Sequence, residues 1–277
     1  LENSKLGASK MNLQDLEILY ESLKSKQPSS QTRYISYHSL YKTAFMFKSI
    51  FKQYNMIDDV SLDEFLLCYP VLALIESLIH EVNIDLGSNQ QNNLSWDARK
   101  KIIQSFLKEF NLEHPTILNA MESLGEFFQL GSQLVTYETI TNQDVIRASE
   151  LQSSEINMLY FTLISILGKP YKTEVFELMS PINTLLEFHD DFRSYQEDRA
   201  AGNYNTYWMF QKLYGEEAHH YLKVEIDRYS NLFEETLKGL SEQEQEVYSA
   251  KWSRLWQDVF TYFSSAELLR QTVLEGV

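Results

Sequence analysis

The chain has 277 residues, 44% of them hydrophobic and 13% aromatic, which excludes a disordered composition and allows a substantial core. Its formal net charge of −15, from 24 basic and 39 acidic residues, argues against a nucleic-acid partner, because phosphate backbones require a basic footprint. A phosphorylated substrate stays open, since bound cations invert the local sign.

Nine glycines and five prolines leave little material for hairpins, and alternating strand patterns are scarce. In chain order, the leading "LENSKLGASK" carries no hydrophobic signal core and reads as tag-derived or disordered. Helices follow over roughly 11–25, 35–54, 62–84, 95–110, 115–138, 143–167, 172–200, 205–238 and 242–275. Ser61 with Glu64 forms a capping box at the third of these, and Ser241 with Glu244 at the last. Gly168 and Pro170 in "LGKP" supply a stop, whereas Pro70 and Pro181 fall inside helices and are expected to kink them. Gly125 and Gly131 are expected to loosen the helix over 115–138, where a break would open a pocket. With no repeat or low-complexity linker, residues 1–277 read as one all-α domain.

The lone cysteine, Cys68, rules out an internal disulfide framework and points to a reducing, cytoplasmic setting. Continuous apolar runs such as "VLALI" (71–75) are too short to span a bilayer, so no stable membrane insertion is expected. Seventeen tyrosines and sixteen phenylalanines serve either an ordinary core or the wall of a large pocket.

The helix over 172–200 poses the chemical question. Val175, Met179, Ile182 and Leu186 follow at steps of four, three and four and define an inward face. Further steps of four reach Asp190, Ser194 and Asp198, so acids are expected to continue a buried stripe. Buried carboxylates require a salt bridge, protons or a metal to compensate them. Three oxygens in a row suit Mg2+, which takes hard oxygen ligands and keeps waters while binding phosphates. Asp191, Glu197 and Arg199 are expected to be solvated.

The string "DDFRSYQED" resembles the second metal motif of class I terpene synthases, (N/D)Dxx(S/T)xxx(E/D), with Asp190, Ser194 and Asp198 in the ligand positions. Gly202 falls where that family has a glycine, and Asn205 lies one place from its asparagine. Glu197 stands where many members carry a diphosphate-binding lysine; Arg199 is the available substitute. The family also has a first acidic motif, DDxx(x)D. "DDVSLDE" (58–64) fits better as a string, and "HEVNID" (80–85) fits worse. If successive helices alternate in direction, however, only the second lies at the same end of the bundle as Asp190. Glu81 and Asp85 are therefore preferred as ligands, with His80 and Glu76 next. The resemblance further implies a diphosphate-sensing arginine at Arg147 with its acid at Glu150, a late basic residue at Arg270, and substrate contact at Asn205.

What the resemblance implies is a helical bundle around a central active-site cavity, with Arg147 and Asp190 central to catalysis. Its reaction would be Mg2+-dependent ionisation and cyclisation of a linear prenyl diphosphate, farnesyl or geranylgeranyl, releasing diphosphate. Three Mg2+ ions would accompany bound substrate, and a homodimer is compatible with this reading. Phe128, Tyr160 and Trp208 are candidates for cation–π stabilisation of the migrating charge. Three rivals stand beside it: prenyl chain elongation or condensation on the same fold, a non-catalytic prenyl-binding relative, and a di-iron carboxylate bundle. The last would rest on Glu–x–x–His within "EEAHH" (216–220), which has no second copy.

Overall fold

The computed structural model describes residues 35–88, 96–137, 139–170 and 173–249. Every regular element among them is helical and none is a strand. In order these are α1 (Tyr37–Asp58), α2 (Leu62–Ser88), α3 (Trp96–Glu109), α4 (Pro115–Thr136), α5 (Asn142–Gln152), α6 (Ser154–Leu167), α7 (Thr173–Ala201), α8 (Thr206–Tyr214) and α9 (Ala218–Lys238). A 3-10 turn, Gly215–Glu217, joins α8 to α9, and residues 242–249 are helical again. The expected helix over 11–25, most of that over 242–275, and Arg270 lie outside the described residues.

Local chemistry accounts for the helix ends. The Ser36 hydroxyl accepts the Ser39 N–H at 3.1 Å and opens α1. The Ser61–Glu64 box opens α2, with the Ser61 N–H donating to Glu64 Oε2 at 2.8 Å and the Glu64 N–H to Ser61 Oγ at 3.2 Å. Pro115 stands at the start of α4, where its missing N–H costs nothing, and Thr141 with Asp144 forms a capping box on α5. Gly168 closes α6 at φ 61°, a left-handed turn that glycine adopts without strain.

α1 and α2 form an antiparallel pair. Phe47 packs edge-on against Phe65 and Tyr69, while further along α2 the Thr43 and Ser77 hydroxyls meet at 3.1 Å. α6 is central, lying against α2 on one side and α4 on another. Met158, Leu159, Tyr160, Phe161, Leu163 and Ile164 are all buried, as expected of a helix enclosed on every side. α7 packs against α9, α8 and α5. The apolar side chains of all these helices join one continuous core, in which each fully buried Leu or Ile contributes roughly 1.5–3 kcal/mol.

Several expectations are corrected by the packing. The helix over 143–167 divides at Ser153, and that over 205–238 divides at Gly215. α4 runs unbroken through both glycines, which serve close approach instead. A Cβ at Gly125 would stand 2.8 Å from Trp96 Nε1, and one at Gly131 would stand 3.2 Å from Tyr204 Cβ. Pro70 and Pro181 lie inside α2 and α7. Although its unbroken apolar runs are short, the Leu62–Val82 stretch is long and apolar enough to cross a membrane, with mean hydropathy 1.6. Much of it is buried against α1 and α6, as in a core helix.

Candidate functional site

α7 supplies most of the polar groups. Its most buried line runs Leu178, Ile182, Leu185, Phe188, Asp191 and Tyr195. Asp191, expected in solvent, is 3% exposed, whereas Asp190 is exposed. The correction has a geometric cause. Each step of four residues overshoots a full helical turn by about 40°, so Asp190, Ser194 and Asp198 drift progressively off the core line. They still share one strip, with Asp190 exposed and Ser194 and Asp198 half-buried. Glu197 and Arg199 are exposed as expected; Glu197 lies 3.7 Å from Lys42 of α1, and Arg199 donates to the Tyr195 hydroxyl at 2.7 Å.

Ser194, Asp198 and Asn205 are brought together. The Ser194 hydroxyl donates to Asp198 Oδ2, and Asn205 Nδ2 donates to the same oxygen at 2.9 Å. Asn205 Nδ2 also reaches the Asp191 carbonyl at 2.6 Å, and Asn205 Oδ1 accepts the Trp208 N–H at 3.1 Å to cap α8. Asn205 is fully buried, and its amide positions Ser194 and Asp198. Because the Ser194 hydroxyl gives its hydrogen to Asp198, its lone pairs point elsewhere. Asp190, Ser194 and Asp198 offer oxygen donors only, the kind that Mg2+ takes.

Opposite this strip, α2 presents Glu76 and His80. The charge of Asp190 bears on His80, Glu155, Glu187, Asp191 and Asp198, and that of Glu187 on Glu76. α1 runs antiparallel to α2, and its Lys42 and Gln53 meet Glu197 and Asn183 of α7 in reverse order, so α2 and α7 run in the same direction. Below them an amide chain links three helices: Gln53 Nε2 donates to Asn183 Oδ1 at 2.9 Å, and Asn183 Nδ2 to Asn157 Oδ1 at 2.7 Å. Lys42 of α1 acts on both His80 and Asp198 from above.

The acids of this region hold their protons unusually tightly. Burial pushes Glu76 up to about 7, partly offset by the Glu155 carboxyl and raised further by the charge of Glu187. Burial, then the charge of Glu76, holds Glu155 well above the usual carboxylate range. Burial and the charge of Glu155 do the same for Glu187. Asp191 is pushed up to about 7, first by burial and then by Asp198. Burial lowers His80.

Other expected site residues are engaged elsewhere. Glu81 Oε1 accepts both the Ser36 N–H and the Ser39 hydroxyl, which ties it to the start of α1 instead of the acidic space. Asp85 follows one turn later on α2, and its side chain lies outside the described residues. Arg147 donates from Nε at 3.2 Å and from Nη2 at 3.1 Å to Glu126 of α4, an exposed pair. Glu150 accepts the Tyr229 hydroxyl of α9 at 2.6 Å, so Arg147 and Glu150 reach toward different helices. Of the aromatic candidates, Phe128 packs against Trp96 and Phe127, and Tyr160 against Tyr54 and Phe161; Trp208 is half-buried on α8.

Glu155 and Glu187 did not emerge from sequence reasoning, although a signal exists. Like Glu76 in "LALIESLI", they are lone acids in apolar stretches, "SEINMLYF" and "TLLEFH".

The chain matches no family model, no curated protein and no solved structure.

Proposed function

We propose that this chain is a divalent-cation-dependent enzyme of the class I terpene synthase kind, which ionises a linear prenyl diphosphate and cyclises the resulting carbocation. The observation that supports this reading is the convergence of two like-oriented helices on one acidic space. α2 contributes Glu76 and His80, and α7 contributes Asp190, Ser194 and Asp198; the charge of Asp190 acts on His80 and Asp198, and that of Glu187 on Glu76.

Asp190, Ser194 and Asp198 would hold Mg2+, which neutralises the diphosphate and stabilises it as a leaving group. Asn205 keeps Asp198 and Ser194 in register, so the donors do not have to reorganise on loading. Arg147 would release Glu126 and pair with the diphosphate, whose oxygens match a guanidinium bidentately. Departure of the diphosphate breaks the allylic C–O bond and leaves a cation to be shielded from water by apolar side chains. Proton loss then gives a hydrocarbon, and capture of water gives an alcohol.

The test is incubation with geranyl, farnesyl and geranylgeranyl diphosphates, each alone with Mg2+, followed by mass spectrometry of extracted products and assay of released diphosphate. The expected result is a cyclised product from at least one substrate, lost in Asp190→Ala and Asp198→Ala with helix content unchanged. Absence of diphosphate release from all three substrates, or full activity in both variants, overturns the reading.

A further inference from the structure

We infer that Glu76, His80 and Glu155 form a second, inner cation site, specific for a first-row transition metal and filled without any diphosphate. This site is separate from the Asp190–Asp198 strip and takes one donor from α6, a helix on which the proposed reaction places no ligand.

The geometry comes from two helices. Glu76 and His80 stand one turn apart on α2, with His80 Nε2 and Glu76 Oε1 3.0 Å apart. That is the separation of adjacent ligands on an octahedral ion with bonds of about 2.1 Å. Glu155 enters from the first turn of α6, immediately after the break at Ser153. One donor atom from each residue lies within 4.8 Å of the others. Ligands on opposite sides of such an ion are about 4.2 Å apart, a few tenths of an ångström inside that limit.

An independent observation singles out the same place. Glu76 is 0% exposed, and its oxygens meet only His80 Nε2, at 3.0 Å, and the Glu155 carboxyl, contacts that close no well-aligned hydrogen bond for Glu76 or for His80 Nε2. Fully buried polar atoms are almost always satisfied, and a carboxylate left without donors is among the costliest exceptions. Among the described residues, no lysine or arginine forms an ion pair with Glu76, Glu155 or Glu187. A dication satisfies these poorly partnered atoms, and its binding displaces the protons that its ligands carry.

Ligand chemistry selects the ion. An imidazole nitrogen with two carboxylate oxygens suits Zn2+, Mn2+, Fe2+ or Co2+, whereas Mg2+ prefers oxygen donors and gives up its waters reluctantly. The outer strip, which is all oxygen, has the opposite preference. The two sites therefore sort two kinds of cation by donor type.

The experiment uses the full chain, stripped with chelator and dialysed separately against Zn2+, Co2+ and Mg2+ without diphosphate. Metal content is measured by elemental mass spectrometry. Retention of one Zn2+ or Co2+ per chain is expected, with Mg2+ lost on the same dialysis. His80→Asn and Glu155→Gln each weaken retention by at least about tenfold, since even outer-shell losses cost that much. Asp198→Asn leaves it unchanged. In the wild type, 15N NMR reports a histidine imidazole nitrogen shifted by Zn2+, a readout that does not depend on any variant folding.

No Zn2+ or Co2+ retained, no shifted imidazole nitrogen, or undiminished retention in both variants overturns the site. Failure here is distinguishable from failure of the proposed function. Turnover of a prenyl diphosphate by chains that fail to retain Zn2+ or Co2+ on dialysis removes the inner site alone, and Zn2+ retention without turnover removes the reaction alone.

Discussion

The Thr206 N–H donates to Asp191 Oδ2 at 2.7 Å, a fully buried bond that anchors the start of α8 to the middle of α7. The pair explains why a carboxyl sits on the innermost line of α7. The first N–H groups of a helix lack partners within it, and an acid at that end also opposes the dipole favourably. The same clasp holds Asn205, and through it the Ser194–Asp198 pair, in place.

A pH dependence follows from Asp191. Burial and the charge of Asp198 raise it to about 7, against roughly 4 in an unfolded chain. Between these values the folded state binds more protons than the unfolded state, so stability falls as pH rises. In chelator, the wild-type urea midpoint is expected to be higher at pH 5 than at pH 8. Asp191→Asn, which keeps an acceptor for Thr206, reduces that difference by the share due to Asp191. An unchanged pH slope in the variant would contradict the assignment.

Glu81 gives a second test, because its carboxylate receives two donors from the start of α1. Glu81→Ala should destabilise the protein by about 2 kcal/mol, the range for hydrogen bonds to a charged group. Hydrogen exchange at the first amides of α1 should quicken while metal retention stays at its wild-type level. Loss of metal with unaltered exchange would return Glu81 to the ligand set.

Arg147 is held by Glu126 in an exposed pair, with side chains 51% and 54% accessible. Such pairs contribute little to stability, so Arg147→Ala should shift the melting temperature only slightly. Removing the competitor should matter more for binding. Glu126→Gln is expected to tighten binding of inorganic diphosphate by up to about fivefold, measured calorimetrically with Mg2+ present. Affinity equal to wild type in Glu126→Gln would mean that Arg147 does not serve the anion.

Gly131 lies against Tyr204, the tyrosine whose hydroxyl donates to the Val145 carbonyl at 3.1 Å beside the Asp191 clasp. A Cβ at 3.2 Å from the Tyr204 Cβ meets an atom next to the backbone, which cannot swing aside. Gly131→Ala should therefore cost about 1–3 kcal/mol by overpacking, read as a lowered denaturation midpoint. Gly125→Ala meets the edge of the Trp96 ring instead, and the indole must shift to admit it.

By itself, the sequence determined the helical architecture, and the reason is local. Caps such as Ser61–Glu64, the stop at Gly168 and apolar spacing near 3.6 residues act over a few positions, so they are legible without knowing the partners. The alternation of helix direction is legible in the same way: α2 and α7 run parallel, each antiparallel to α1. Only the tertiary structure decided which side of each helix the acids occupy. A single residue turns a helix by about 100°, so the choice between Asp190 and Asp191 as the buried acid depends on how α7 sits against α8 and α5. The breaks at Ser153 and Gly215, the commitment of Glu81 to α1, and the meeting of Glu155 with Glu76 are likewise contacts between distant segments. Periodicity places a residue on a helix, but its chemistry is set by what packs against it.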